Sequence, residues 1–267
     1  MKHCYFLLSL LFFTAPLFAQ STASQNVNIF SIPAPQLDTV RTIRLYLPAS
    51  YSHSKKDYPV IYMHDAQNLF DKATSYVGEW KVDEYLDSLA SKEVIVVGID
   101  HGGEKRINEL TPFPNEKYGG GKGAAYVGFI VNNLKPYIDQ HYRTLKDPAN
   151  TAIFGSSLGG LISFYAALKY PGTFGKAGVF SPSFWFSDKI YDFAKFSELN
   201  PDTKFYFLAG TNEEEGEIPD IERMLDLLRK KGLAKQNYKV KFIEGGEHNE
   251  ALWSSAFPAA FEWLMAN

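Results

Sequence analysis

Cysteine is all but absent from this chain. The single thiol, Cys4, sits inside an apolar N-terminal segment. The remainder can form no disulfide, no thiolate nucleophile and no thiolate metal site. A surplus of positive charge is also missing. There are 27 Lys and Arg against 30 Asp and Glu, a net charge of −3, whereas a nucleic-acid-binding surface calls for a basic patch or stripe. Beyond the first residues no apolar run approaches the roughly 20 residues of a membrane helix. No internal repeat, low-complexity block or interdomain linker interrupts the pattern. Histidine is scarce, with six in all, so each one can be weighed individually.

The first residues, "MKHCYFLLSLLFFTAPLFAQ", run in the order of a secretory signal peptide. Lys2 supplies the positive start, Tyr5–Phe13 the apolar stretch, and Ala19 a small residue before Gln20. Cleavage is expected near Ala19–Gln20, which puts the mature chain in the periplasm or outside the cell with no membrane span left. The expected organisation is a signal peptide over 1–19, a leader and first-strand region over 20–40, and one catalytic domain over 41–267.

Past the leader, "RTIRLYLP" alternates polar and apolar, as a half-buried antiparallel strand does. The runs "YPVIYMHD", "VIVVGID", "TAIFG", "KAGVFS" and "KFYFLAG" do not alternate, and "YKVKFIEGG" closes the series. Strands apolar on both faces suit a parallel sheet buried between helices. Helical patterns separate them, among them Trp80–Ala90, Ala124–Tyr142, Leu158–Pro171 and Ile218–Gly232. The expected fold is α/β, a mostly parallel sheet covered on both faces.

Between one such strand and one such helix stands "AIFGSSLGG", Ala152–Gly160. Its core, Gly155–Gly159, fits G-x-S-x-G with Ser157 central, in the strand–turn–helix context that motif requires. A sharp turn forces the serine into a strained backbone and needs small neighbours, which Gly155 and Gly159 supply. The same residues also suit a plain turn in which Ser156 or Ser157 caps the helix. A serine hydroxyl needs a base and the base an orienting acid, so partners decide. His53, His101 and His141 sit at polar loop or helix-end positions and read as exposed. His64 ends a strand and stays possible. His248, in "EGGEHNEALW" after the last strand, occupies the place from which such a hydrolase draws its base. The acid is expected between Ser157 and His248. "FLAGTNEEEGE" offers Glu213 first and Glu214 as its competitor, with Asp220 and Asp188 behind them. Two backbone N–H groups would complete an oxyanion hole. One belongs to Leu158; the other lies in "YMHDAQNLF".

Together these pieces resemble the esterase D-like ("putative esterase") family of α/β-hydrolases, which includes feruloyl and acetyl-xylan esterases and siderophore esterases. The resemblance is carried by "YPVIYMHDAQNLFD", "RINELTP", "YRTLKDPANTAIFGSSLGGLISFYAALKYPGTFGKAGVFSPSFW", "FLAGTNEEEG" and "GGEHNEALW", and runs from about Arg41 to Leu264. It implies a single-domain α/β-hydrolase fold with Ser157 as nucleophile, Glu213 as acid and His248 as base. The backbone N–H groups of Gln67 and Leu158 would form the oxyanion hole. Ala66 stands where glycine is usual, so a positive φ there would be strained. The implied activity is that of a serine esterase acting through an acyl-enzyme on sugar-linked acyl esters or siderophore lactones, without metal or organic cofactor. A non-catalytic binding module of the same fold is the alternative, as is an acyltransferase or thioesterase.

Overall fold

A computed structural model describes residues 21–266; the expected signal segment, 1–19, lies outside them. Strands β1 (Val27–Ala34), β2 (Thr39–Tyr46), β3 (Val60–His64) and β4 (Ile95–Ile99) open the chain. The two-residue strands β5 (Pro114–Asn115) and β6 (Gly119–Gly120) form a small hairpin. Strands β7 (Thr151–Ser156), β8 (Lys176–Phe180), β9 (Lys204–Gly210) and β10 (Tyr238–Ile243) complete the series. The eight longer strands make one sheet in the order β1-β2-β4-β3-β7-β8-β9-β10. From β4 to β10 every pairing is parallel; β1 and β2 join antiparallel at one edge. β1 pairs with β2 along its whole length, from Val27 opposite Tyr46 to Ala34 opposite Thr39. The sheet's outer strand therefore comes from the region 20–40, read as leader and first strand.

The two-residue period of a strand sends alternate side chains to opposite faces. Along β3, Val60 and Tyr62 enter one core while Ile61 and Met63 enter the other. The larger core is roofed by α3 (Gly123–Phe129), α4 (Lys135–His141), α5 (Leu158–Lys169), α6 (Lys189–Phe196) and α7 (Glu217–Lys230). The second lies under α1 (Val82–Asp87) and α8 (Glu250–Leu264), where Trp80, Phe154, Phe180, Phe257 and Phe261 pack. Much of the chain's aromatic content is consumed here. Trp80 stacks on Phe180 at 5.7 Å, and Phe257 meets Phe154 edge-on at 5.9 Å.

Two elements differ from the sequence pattern. The single helix expected over Ala124–Tyr142 is broken by a π-helical turn at Ile130–Leu134. Pro136, at the start of α4, has no N–H and its ring clashes with the carbonyl four residues back, Asn132; the widened turn spans that residue. The segment Gly102–Gly123, for which the sequence pattern offers no element, holds α2 (Arg106–Leu110) and the β5–β6 hairpin.

Candidate active site

Residues that follow β3, β4, β7 and β10 line a cavity of about 580 Å³, among them Asp65, His101, Ser157 and His248. Ser157 stands where β7 passes into α5, at φ +57° and ψ −125°, a conformation L-residues rarely adopt. The turn is tied down from both sides. Ser157 N donates to Phe180 O at 2.9 Å, and Ser157 O accepts from Leu161 N at 3.0 Å and Ser183 N at 3.2 Å. A Cβ on Gly155 would lie 2.5 Å from the Gly159 backbone, so strand and helix touch there through glycine alone. Gly159 behaves differently from the motif's expectation: a Cβ there meets Asp65 and His64 at an ordinary 3.4 Å. The second tight position is Gly160, where a Cβ would sit 2.7 Å from Phe180 O.

His248 follows β10 and is one-third exposed. Its Nδ1 lies 2.8 Å from Glu213 Oε2, and the Glu213 side chain is almost wholly buried. The other carboxylate oxygen, Oε1, accepts from Gly210 N at 2.6 Å and from Ser181 Oγ at 2.7 Å. Burial alone would raise the Glu213 carboxyl. Hydrogen bonds from His248, the Gly210 amide and Ser181 outweigh it and hold the group below the ordinary carboxylate range. Glu214 and Glu215 are exposed. Asp220 accepts from Tyr191 Oη at 2.8 Å and Asp188 pairs with Arg223, so both alternative acids are engaged elsewhere. Ser157 and His248 line the same cavity. The recorded partner of Ser157 Oγ is Ser183 Oγ at 3.3 Å; bonds between such a hydroxyl and a base often tighten only with substrate in place.

On the opposite wall Asp65 takes the left-handed conformation, φ +55°, and Ala66 does not. The strain expected at Ala66 is thus absent. Gly98 makes room for its methyl: a Cβ on Gly98 would approach Ala66 Cβ to 2.8 Å. Gln67 lies in the short turn Ala66–Asn68, its carbonyl accepting from Thr74 Oγ1 at 2.8 Å. Leu158 is the first residue of α5, where a helix leaves its N–H groups free.

Several residues with no assigned role in the sequence pattern shape the site. Arg106 grips Asp65 in a two-pronged ion pair, Nε to Oδ1 at 2.7 Å and Nη2 to Oδ2 at 2.9 Å, fixing the loop that carries Gln67. His64 is buried, its Nδ1 2.8 Å from Tyr126 Oη, and burial lowers its pKa to about 4. His101, read as exposed, is half-buried in the cavity wall, its ring 6.1 Å from that of Tyr76. Ser181 is fully buried at φ +40° and accepts from Trp253 Nε1 at 2.9 Å; the Trp253 ring meets His248 edge-on at 5.0 Å. Glu217, at the start of α7, is buried beside Glu213. Burial first, and the Glu213 charge next, push its carboxyl up to about 9. Of these, the sequence pattern singled out His64 and His101 as histidines; Arg106, Ser181, Trp253 and Glu217 stood only inside quoted segments.

Comparison with known proteins decides the family. The family model described as "Putative esterase" matches residues 34–264. The chain belongs to that esterase family. It is 30% identical over 238 residues to the uncharacterized protein YbbA of Bacillus subtilis, covering 84% of this chain and 92% of the relative. Among solved structures, the BES protein from Bacillus cereus superposes with a TM-score of 0.74 at 18% identity, over 93% of this chain and 99% of that one. A ferulic acid esterase superposes with a TM-score of 0.69 at 18% identity, over 90% and 97%. The esterase chain has the α/β-hydrolase fold as a single domain.

Proposed function

We propose that the protein is a secreted serine carboxylic-ester hydrolase that works through a Ser157–His248–Glu213 triad and an acyl-enzyme. The observation that carries this reading is the His248–Glu213 bond of 2.8 Å at the mouth of the cavity that also holds the strained Ser157.

With Nδ1 bound to Glu213, His248 keeps its proton there and leaves Nε2 as the basic nitrogen. Ser157 Oγ attacks the ester carbonyl and its proton passes to Nε2. The resulting imidazolium faces the Glu213 carboxylate, which is ionised at neutral pH because its own pKa is held down. The N–H groups of Leu158 and Gln67 receive the tetrahedral oxyanion. Leu158 sits at the start of a twelve-residue helix whose dipole favours negative charge. His248 returns the proton to the departing alcohol, and water repeats the sequence on the acyl-enzyme.

The cavity walls favour a ring-bearing substrate. Trp80, Trp253, Tyr76 and His101 line it together with the polar Asn68 and Asn249. A superposable protein is called a ferulic acid esterase, and an aromatic acyl ester of a sugar fits this mixture. A siderophore lactone bearing aromatic groups is the second candidate. The test is a substrate panel on the purified chain: p-nitrophenyl acetate, a feruloylated sugar, a triscatecholate lactone and an acyl thioester. Turnover of an oxygen ester, fastest where the ester carries a ring, is expected. Turnover of the thioester alone, or no turnover of any, contradicts the reading.

A further inference from the structure

The buried Glu217 takes no part in the mechanism above, yet it faces the two residues that do. One ligand atom each from Glu213, Glu217 and His248 lies within 4.8 Å of the other two. Glu217 is 3% exposed, and its Oε1 has no hydrogen-bond partner among the described residues. A buried carboxylate oxygen left unpaired is costly and calls for a reason. Two carboxylates and an imidazole form an N/O donor set suited to zinc and similar divalent ions. His248, one-third exposed, gives a cation a way in that the two glutamates do not.

We propose that Glu213, Glu217 and His248 form a site for a zinc-type divalent cation whose occupation switches the hydrolase off. A zinc ion holds N and O ligands at about 2.0–2.2 Å, so tetrahedral ligands stand about 3.4 Å apart. To hold the ion, the wider separations close by up to about 1.4 Å and the 2.8 Å His248–Glu213 contact opens by about 0.6 Å, within the reach of side-chain rotation. The ion takes the lone pair of His248 Nδ1 and displaces the Glu213 Oε2 contact. Glu213 stays anchored through Oε1 to Gly210 and Ser181. A neutral imidazole metallated at Nδ1 carries its proton on Nε2. That nitrogen is then a donor and cannot accept the Ser157 proton. Binding releases the Glu217 carboxyl proton to solvent, and water supplies the remaining coordination position.

The switching half of this inference rests on the esterase reading; the cation site does not. Calorimetric titration of the purified chain with ZnCl₂ is expected to show one saturable site. Ester turnover is expected to fall at least about tenfold when that site is filled, and to return with EDTA. In Glu217→Gln, which keeps the side chain's shape and removes a ligand, binding is expected to weaken at least about tenfold. The ratio of turnover with and without zinc is expected to approach one. Absence of saturable binding, or equal affinity in wild type and Glu217→Gln, overturns the proposal. Should the variant misfold, nitrogen NMR of the wild-type imidazoles decides. The His248 Nδ1 resonance is expected to move on zinc addition, and an unmoved resonance overturns the site. A chain that binds zinc through Glu217 but hydrolyses no ester retains the site and loses the esterase reading.

Discussion

At the scale of single residues, the proposed acid is defined by what its two oxygens do. Glu213 Oε2 meets His248, while Oε1 is held by a backbone amide and by Ser181. Trp253 fixes the sense of that last bond. An indole N–H only donates, so Ser181 Oγ accepts from it and sends its single proton to Glu213. Glu213→Gln is expected to lower kcat by about 10²–10⁴, and the exposed Glu214→Gln to leave it nearly unchanged. Ser181→Gly separates orientation from folding. Glycine relieves the φ of +40° while deleting the hydroxyl. The strain relieved is opposed by the buried Trp253 Nε1–H losing its acceptor, so thermal melting is expected to show a folded variant no more stable than wild type. With one fewer donor the Glu213 carboxyl is held down less, and the acid limb of kcat/KM moves to higher pH. An unchanged profile would reduce Ser181 to packing.

At the scale of elements, the strand–turn–helix unit around Ser157 tests how much of the site was legible. Gly155→Ala is expected to cost several kcal/mol or prevent folding, because its Cβ would meet backbone at 2.5 Å. Gly159→Ala is expected to fold and keep at least about a tenth of wild-type turnover, since its Cβ finds ordinary contacts. Paired chemical-denaturation curves and turnover check both. The motif spelled out the turn, but its spacing does not record that Gly160, rather than Gly159, lies against Phe180 O. The parallel strands were readable because burial on both faces writes continuous apolar runs. His248 and Glu213 were readable because both follow a strand end with glycine beside it. Arg106 and Ser181 were not, because their partners lie 41 and 32 residues away and no local pattern encodes a long-range contact; nor was Glu217, because an acidic run does not show which of its members is buried. The π turn before Pro136 was hidden by an apolar pattern that reads as one continuous helix.

At the scale of the whole molecule, the fold buries ionisable groups around the cavity, and its stability follows their titration. His64 has its pKa lowered from 6.5 to about 4. The unfolded chain takes up that proton below about pH 6.5, while the folded chain refuses it down to about 4. Stability from this residue is therefore full above about pH 6.5 and is lost as pH falls towards 4, by about 3 kcal/mol. Denaturation curves at pH 7 and 4.5 are expected to differ less in His64→Asn than in wild type; an equal difference would remove His64 as a source. The sheet places residues that follow β3, β4, β7 and β10 around one cavity, and the central claim is that Ser157, in its lining, carries the attacking atom. A fluorophosphonate that carries a ring, followed by peptide mass spectrometry, tests this most directly. A single covalent adduct on Ser157, absent from Ser157→Ala and slowed in Glu213→Gln, is the expected result. An adduct on Ser156, or no adduct on a folded chain that still hydrolyses esters, would contradict it.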